Sequence, residues 1–167
     1  MEHANANDGR ITKSGSDVPK YVFSSPFVRT THTAQLIALD LPGGAVRIEE
    51  GLTEWQIPSL LVDKNGVRTF PKKADQLAEV YGTIDLTYTT LNPAVPDDAV
   101  DVPKGAPHYE ESEEALLQRC ATTLSRSLDY SKGDSFVLVS HAPCDQALAL
   151  HLEGKGPSKS NLGPWPL

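Results

Sequence analysis

Two side chains stand where a fold could bring chemistry together. His141 comes directly after the apolar run Phe136 to Val139 and the small residue Ser140; Arg29 comes just after the short run YVFS and the turn at Ser25 and Pro26. A Val-rich apolar run that passes through a small turn into a helical pattern reads as a buried parallel strand entering a helix. Both residues would then lie at carboxyl ends of strands, the edge at which open α/β sheets bind ligands. If the two strands are neighbours, Arg29 and His141 converge on one crevice. An arginine suits that place because its planar fork holds two oxygens of a phosphate or a carboxylate at once. Helix N-termini aimed at the same crevice add backbone donors. Taken alone, Arg29 reads as a helix-start arginine paired with a surface carboxylate, and His141 as a hydrogen-bonded strand-end residue.

The elements that must position them can be read from periodicity. Lys20 to Ser25 reads as a strand, and Pro26 opens a helix whose Ala34, Ile37, Ala38 and Leu41 recur at helical spacing until Pro42 to Gly44 end it. Val46 and Ile48 alternate in a second short strand. Residues 55 to 110 are irregular and proline-rich, with one short helix expected over Lys72 to Tyr81. That segment reads as an insertion lying over the fold, of the kind that serves as a lid or binding loop. Glu111 to Tyr130 carries Leu116, Leu117, Leu124 and Leu128 on a stripe, acids in its first turn and Gly133 beyond its end, and so reads as a helix. The strand before His141 and the helix after it complete two strand-to-helix units. The fold class expected is α/β, a largely parallel sheet with helices on both faces.

Length allows one domain: 167 residues can bury a sizeable core, and no break in composition divides them. Residues 1 to 18 are polar and read as a loose tail, leaving 19 to 167 as the domain. The chain carries a formal net charge of −7, which argues against a nucleic-acid surface. The longest apolar runs fall far short of the roughly 20 residues that span a bilayer, so no membrane is expected. The opening MEHANANDGR lacks the apolar stretch of a signal peptide, which makes the cytosol the expected location. The two cysteines, Cys120 and Cys144, make neither a disulfide framework nor a metal site and read as reduced, packed thiols. His32, His108 and His151 have no motif around them and read as surface or helix-packing residues.

The stretch SSPFVRTTHTAQLIA resembles the Ser-Pro-x-x-Arg-x-x-x-Thr-Ala helix start of the histidine phosphatase superfamily, which includes the phosphoglycerate mutases, and VLVSHAPCDQAL resembles that family's second histidine motif. GLTEW, DLTYTTLNPAVP and ESEEALLQR, in that order, are similar to the phosphatase domain of the ubiquitin-associated and SH3-domain-containing tyrosine phosphatases and to the ecdysteroid-phosphate phosphatases. The resemblance covers roughly 21 to 154 and implies a phosphomonoester hydrolase that works through a phosphohistidine with no metal and no organic cofactor. It implies that Arg29 clamps the phosphoryl group, that His141 donates a hydrogen bond to it, and that Glu54 protonates the leaving oxygen. Such an acid would need its pKa raised by a partly apolar site, which Trp55 could supply. Without the resemblance, Glu54 would read as one more solvated carboxylate.

One part of the family pattern is missing from the sequence. The attacking histidine belongs to an Arg-His-Gly motif at the end of a first, central strand, and no such motif occurs here. The only histidine upstream of the SSP turn is His3, with no apolar strand before it. The expectation is a histidine-phosphatase-like domain without its first strand, able to bind phosphate or a phosphomonoester better than it turns one over. Loss of a central strand would expose two ladder edges and favour a homodimer. A non-catalytic phosphate-binding or scaffold protein is the alternative, and an incorrectly read N-terminus is a third reading. Phosphoglycerate mutase activity would need the same missing histidine and a different acid loop.

Overall fold

The computed structural model describes residues 18 to 63, 65 to 92 and 110 to 154. Three parallel strands form its sheet: β1 (Tyr21–Ser24) at the centre, β2 (Val46–Ile48) on one side and β3 (Phe136–Val139) on the other. Val22 stands opposite both Val46 and Val137, and Ser24 opposite both Ile48 and Val139, so all three strands end level with one another. That register sets the turns after β1 and β3 side by side.

Helices cover both faces, because successive side chains on a strand point to opposite sides. Val22 faces α1 (Val28–Leu39), meeting Ala34 and Ala38 together with Val46, Ile48, Val139 and two residues of the following segment, Leu77 and Tyr81. Phe23 faces the other way, toward Leu116, Leu117, Cys120 and Leu124 of α4 (Glu113–Ser131) and Cys144, Ala147 and Leu148 of α5 (Ala142–Leu152). Helix α4 begins at Ser112, whose hydroxyl accepts from the Ala115 amide, and Glu113 and Glu114 favour the positive end of the helix dipole. It ends with Lys132 at φ 51° and Gly133 at φ 91°, the left-handed conformation common at helix C-termini.

The α/β class and parallel sheet agree with the sequence reading; several details differ. The short helix expected over Lys72 to Tyr81 is only one turn, α3 (Ala74–Ala78), because the chain then bends so that both Val80 and Tyr81 donate to the Leu77 carbonyl. A further turn, α2 (Pro58–Leu61), precedes it. Leu128, placed on the buried stripe of α4, is half exposed. The outer side of β2 is met at Val46 by the segment around Ile84, whereas that of β3 has no strand partner among the described residues. The 93 to 109 part of the irregular segment and all but the last residue of the 1 to 18 tail lie outside the described residues.

Order between β2 and α4 comes largely from one buried carboxylate. Glu49, fully enclosed, accepts hydrogen bonds from the Tyr88 hydroxyl (2.6 Å), the Thr90 hydroxyl (2.7 Å) and the amides of Leu91 (2.8 Å), Asn92 (3.1 Å) and Gly51 (3.1 Å). Donors on every side replace the water that the charge has lost. They also hold residues 88 to 92 against the 3₁₀ turn Glu50–Leu52 that leads to Glu54.

Candidate active site

Arg29 is the second residue of α1, His141 is the N-cap of α5, and Glu54 lies in the extended run after the Glu50–Leu52 turn. The level strand ends bring all three together. Arg29 Nη2 is 3.0 Å from Glu54 Oε2, His141 Nδ1 is 3.0 Å from the same oxygen, and Arg29 Nη2 lies 3.0 Å from His141 Nδ1. Ser25 Oγ stands 2.8 Å from His141 Nε2 on the other side of the ring. Phe27 packs edge-on against the imidazole, with centroids 5.2 Å apart, and stacks under the Arg29 guanidinium.

The hydrogen-bond chemistry of this group allows few arrangements. A guanidinium only donates and a carboxylate only accepts, so Glu54 Oε2 can receive Arg29 and His141 together. Arg29 and His141 cannot satisfy each other at the same time as they satisfy Glu54, because Nδ1 must carry the proton it gives to the carboxylate. Two donors thus converge on one oxyanion. Paired donors of this kind can hold a phosphoryl oxygen, and here they hold the carboxylate of Glu54. The His141 and Glu54 side chains are 3% and 8% exposed, against 53% for Arg29, so the group opens to solvent on the arginine side. Beyond it lies a cavity of about 520 Å³ lined by Arg29, Thr33, Glu54, Leu60, Ser140 and His141 among others.

The acidity of Glu54 is the reverse of what the sequence suggested. Burial pushes its pKa up, but the hydrogen bond and charge of His141, the Trp55 amide and the Arg29 charge outweigh burial and hold it below the ordinary glutamate value. Trp55 acts through its backbone amide, which donates to Glu54 Oε1 at 3.0 Å, while its indole N–H turns away to the Glu111 carbonyl. Cys144 is fully enclosed and its thiol reaches the Thr53 carbonyl at 3.1 Å, a packing role as expected. His32 and His151 are exposed, and His3 and His108 lie outside the described residues. Sequence reasoning assigned no role to Ser25, although the SSP turn contains it, nor to Ser140, which ties the His141 turn to the Leu52 carbonyl at 2.8 Å. Among the described residues no group of three or more His, Cys, Asp or Glu side chains could hold a metal ion, and no helix is long and apolar enough to cross a membrane.

The model of the histidine phosphatase superfamily, branch 1, matches residues 3–164. The chain belongs to this family. Among solved structures, the ecdysone phosphate phosphatase EPPase from Bombix mori, crystallised in complex with tungstate, is similar, with a TM-score of 0.58 and 18% sequence identity. The similarity covers 89% of this chain and 53% of that one, so the chain spans about half the length of that phosphatase. A search of curated proteins finds no match. Family and fold together make this a histidine-phosphatase-type domain, and its strand-end group lies at the sheet edge where α/β folds bind ligands.

Proposed function

We propose that the domain binds the phosphoryl group of a phosphomonoester between Arg29 and His141, with Glu54 as proton donor to the leaving oxygen. The observation that carries this reading is the convergence of Arg29 Nη2 and His141 Nδ1 on one carboxylate oxygen, each at 3.0 Å. A phosphoryl group entering the cavity would take over these donors and release Glu54. The carboxyl would then lose the contacts that depress its pKa and face a new negative charge, both of which favour its protonated form. In this reading Glu54 becomes an acid only when substrate is in place.

For hydrolysis through a phosphohistidine, a histidine nitrogen attacks phosphorus, the ester P–O bond breaks, and the leaving oxygen takes the Glu54 proton. Water then attacks phosphorus, the phosphorus–nitrogen bond breaks, and the water gives a proton back to Glu54. The histidines of the described residues are His32, His141 and His151, and none but His141 is at the site. A second reading is that the chain binds phosphate or a phosphate ester without turning it over. The substrate reading follows the resemblance to the ecdysteroid-phosphate and ubiquitin-associated phosphatases and stays at the level of a phosphomonoester. The free, buried thiols of Cys120 and Cys144 suit a reducing compartment, and we place the domain in the cytosol.

Hydrolysis of an aryl phosphate, alongside inorganic phosphate binding by calorimetry, tests both readings with Arg29→Ala, His141→Ala and His3→Ala. Phosphate binding lost in Arg29→Ala and His141→Ala is the expected result, and binding unaffected by either would overturn the site. Acid-labile phosphate trapped on the protein and abolished by His3→Ala would identify a nucleophile and decide for turnover. Binding with no trapped phosphate would decide for the second reading.

A further inference from the structure

We propose that Arg119 and Glu111 are positioning residues that aim Glu54 at the phosphoryl site, an inference that rests on the reading of Glu54 as the acid. Arg119 lies in the middle of α4, on its buried face between Leu116 and Cys120, and its side chain is 8% exposed. Its guanidinium is engaged on both edges. Nε and Nη2 each donate at 2.8 Å to the two oxygens of Glu111, and Nη1 donates at 2.8 Å to the carbonyls of both Gly51 and Thr53. Glu111, 4% exposed, completes the grip on the far end of the same run. Its second oxygen accepts the Gln56 amide (3.2 Å), its carbonyl accepts the Trp55 indole (2.9 Å), and its own amide donates to the Gln56 carbonyl (3.1 Å).

Every residue from Gly51 to Gln56 except Leu52 and Glu54 is therefore held directly by this ion pair or by the backbone of Glu111. Leu52 is core, and its carbonyl is held by Ser140. Glu54 is the one side chain of the run that turns to Arg29 and His141. A buried ion pair is seldom more stabilising than apolar side chains of the same volume, so stability alone gives little reason for one here. Placing a carboxylate within a fraction of an ångström does give a reason, since site residues on a loop need a rigid supporting shell. Only the planar fork of arginine can grip a carboxylate on one edge and two backbone carbonyls on the other.

Three variants separate aiming from mere stapling: Arg119→Lys, which keeps the charge without the fork; Glu111→Leu with Arg119→Met, which fills the space with apolar atoms; and Trp55→Phe, which removes the indole donor together with part of the ring. Each is first shown to be folded by circular dichroism and thermal melting. Glu54 is then followed by carbon-13 carboxyl NMR through a pH titration, and inorganic phosphate affinity is measured by calorimetry. The Glu54 titration should move up toward that of an ordinary glutamate in the folded variants, most in the double substitution, while phosphate affinity stays within about tenfold of native. A Glu54 titration unchanged in folded Arg119→Lys and in the folded double variant would overturn the proposal. Failure of the native chain to bind phosphate would refute the phosphate reading instead, and the carboxyl titration would still decide whether the pair aims Glu54.

Discussion

Replacing Glu54 with glutamine should tighten phosphate binding, although Glu54 is read as part of the catalytic site. The carboxylate occupies the donors that a phosphoryl oxygen needs, with Oε2 at 3.0 Å from both Arg29 Nη2 and His141 Nδ1. A bound phosphate would have to displace it and then lie beside it, one anion near another. Two unit charges about 4 Å apart repel by about 1 kcal/mol in water and about 4 kcal/mol at the effective dielectric of a protein surface. Glu54 is enclosed but Arg29 is half open to solvent, so a value near the lower end applies, about 1 to 2 kcal/mol. Glu54→Gln removes the charge at nearly the same volume, and inorganic phosphate should therefore bind about tenfold tighter at pH 7. Calorimetric titration of the native chain and the variant, with Arg29→Ala as the control that loses binding, measures the difference directly. If Glu54→Gln left the affinity unchanged or weakened it, the idea that Glu54 competes for the phosphoryl position would be wrong.

The same carboxyl links stability to pH. Its folded pKa lies below the ordinary 4.5, so its contribution is fully present above that value and is lost as pH falls through the lower folded one. Urea melts at a series of pH values should show a native-minus-Glu54→Gln difference that is flat above about pH 5 and changes only in more acid solution. Glu49→Gln should destabilise the fold by about 2 to 4 kcal/mol in the same assay, because an amide group facing the Tyr88 hydroxyl and the Leu91 amide leaves at least one enclosed donor unpaired. A loss under about 0.5 kcal/mol would mean that the carboxylate does not organise residues 88 to 92.

The parts of the site that could be read in advance are those set by the sheet. Arg29 and His141 each follow an apolar strand, and a parallel register carries two such turns to one edge whatever lies between them in sequence. Arg29 pairs with a carboxylate, but with the enclosed Glu54 and not with a surface one. The charge state of Glu54 could not be read, because its nearest neighbour in sequence, Trp55, suggested an apolar setting while its actual partners are distant residues. Arg119 did leave a signal: it lies one position from Cys120 and three from Leu116, so an arginine falls on the apolar stripe of α4. A charge there must find buried partners. What could not be seen is that those partners would be the Glu111 carboxylate and the carbonyls of Gly51 and Thr53, just ahead of Glu54, since nothing in the irregular run 51 to 56 announces its path.

These contacts give Glu54 two opposed duties that one linkage reconciles. The donors that keep the carboxyl ionised are the ones that a phosphoryl group would take, so binding and protonation cannot be independent. If phosphate raises the Glu54 pKa by removing Arg29 and His141 from it, then protonating Glu54 must tighten phosphate binding by the same factor, because coupling between two binding equilibria is reciprocal. A carboxylate held by a rigid ion pair behind it and by two exchangeable donors in front of it is suited to this exchange. On the proposed reading, Arg119 and Glu111 would fix where the carboxyl returns, and Arg29 and His141 would fix its charge until substrate arrives. In that reading, an acid made this way would stay ionised in the resting domain and gain its proton when a phosphoryl group takes Arg29 and His141 from it.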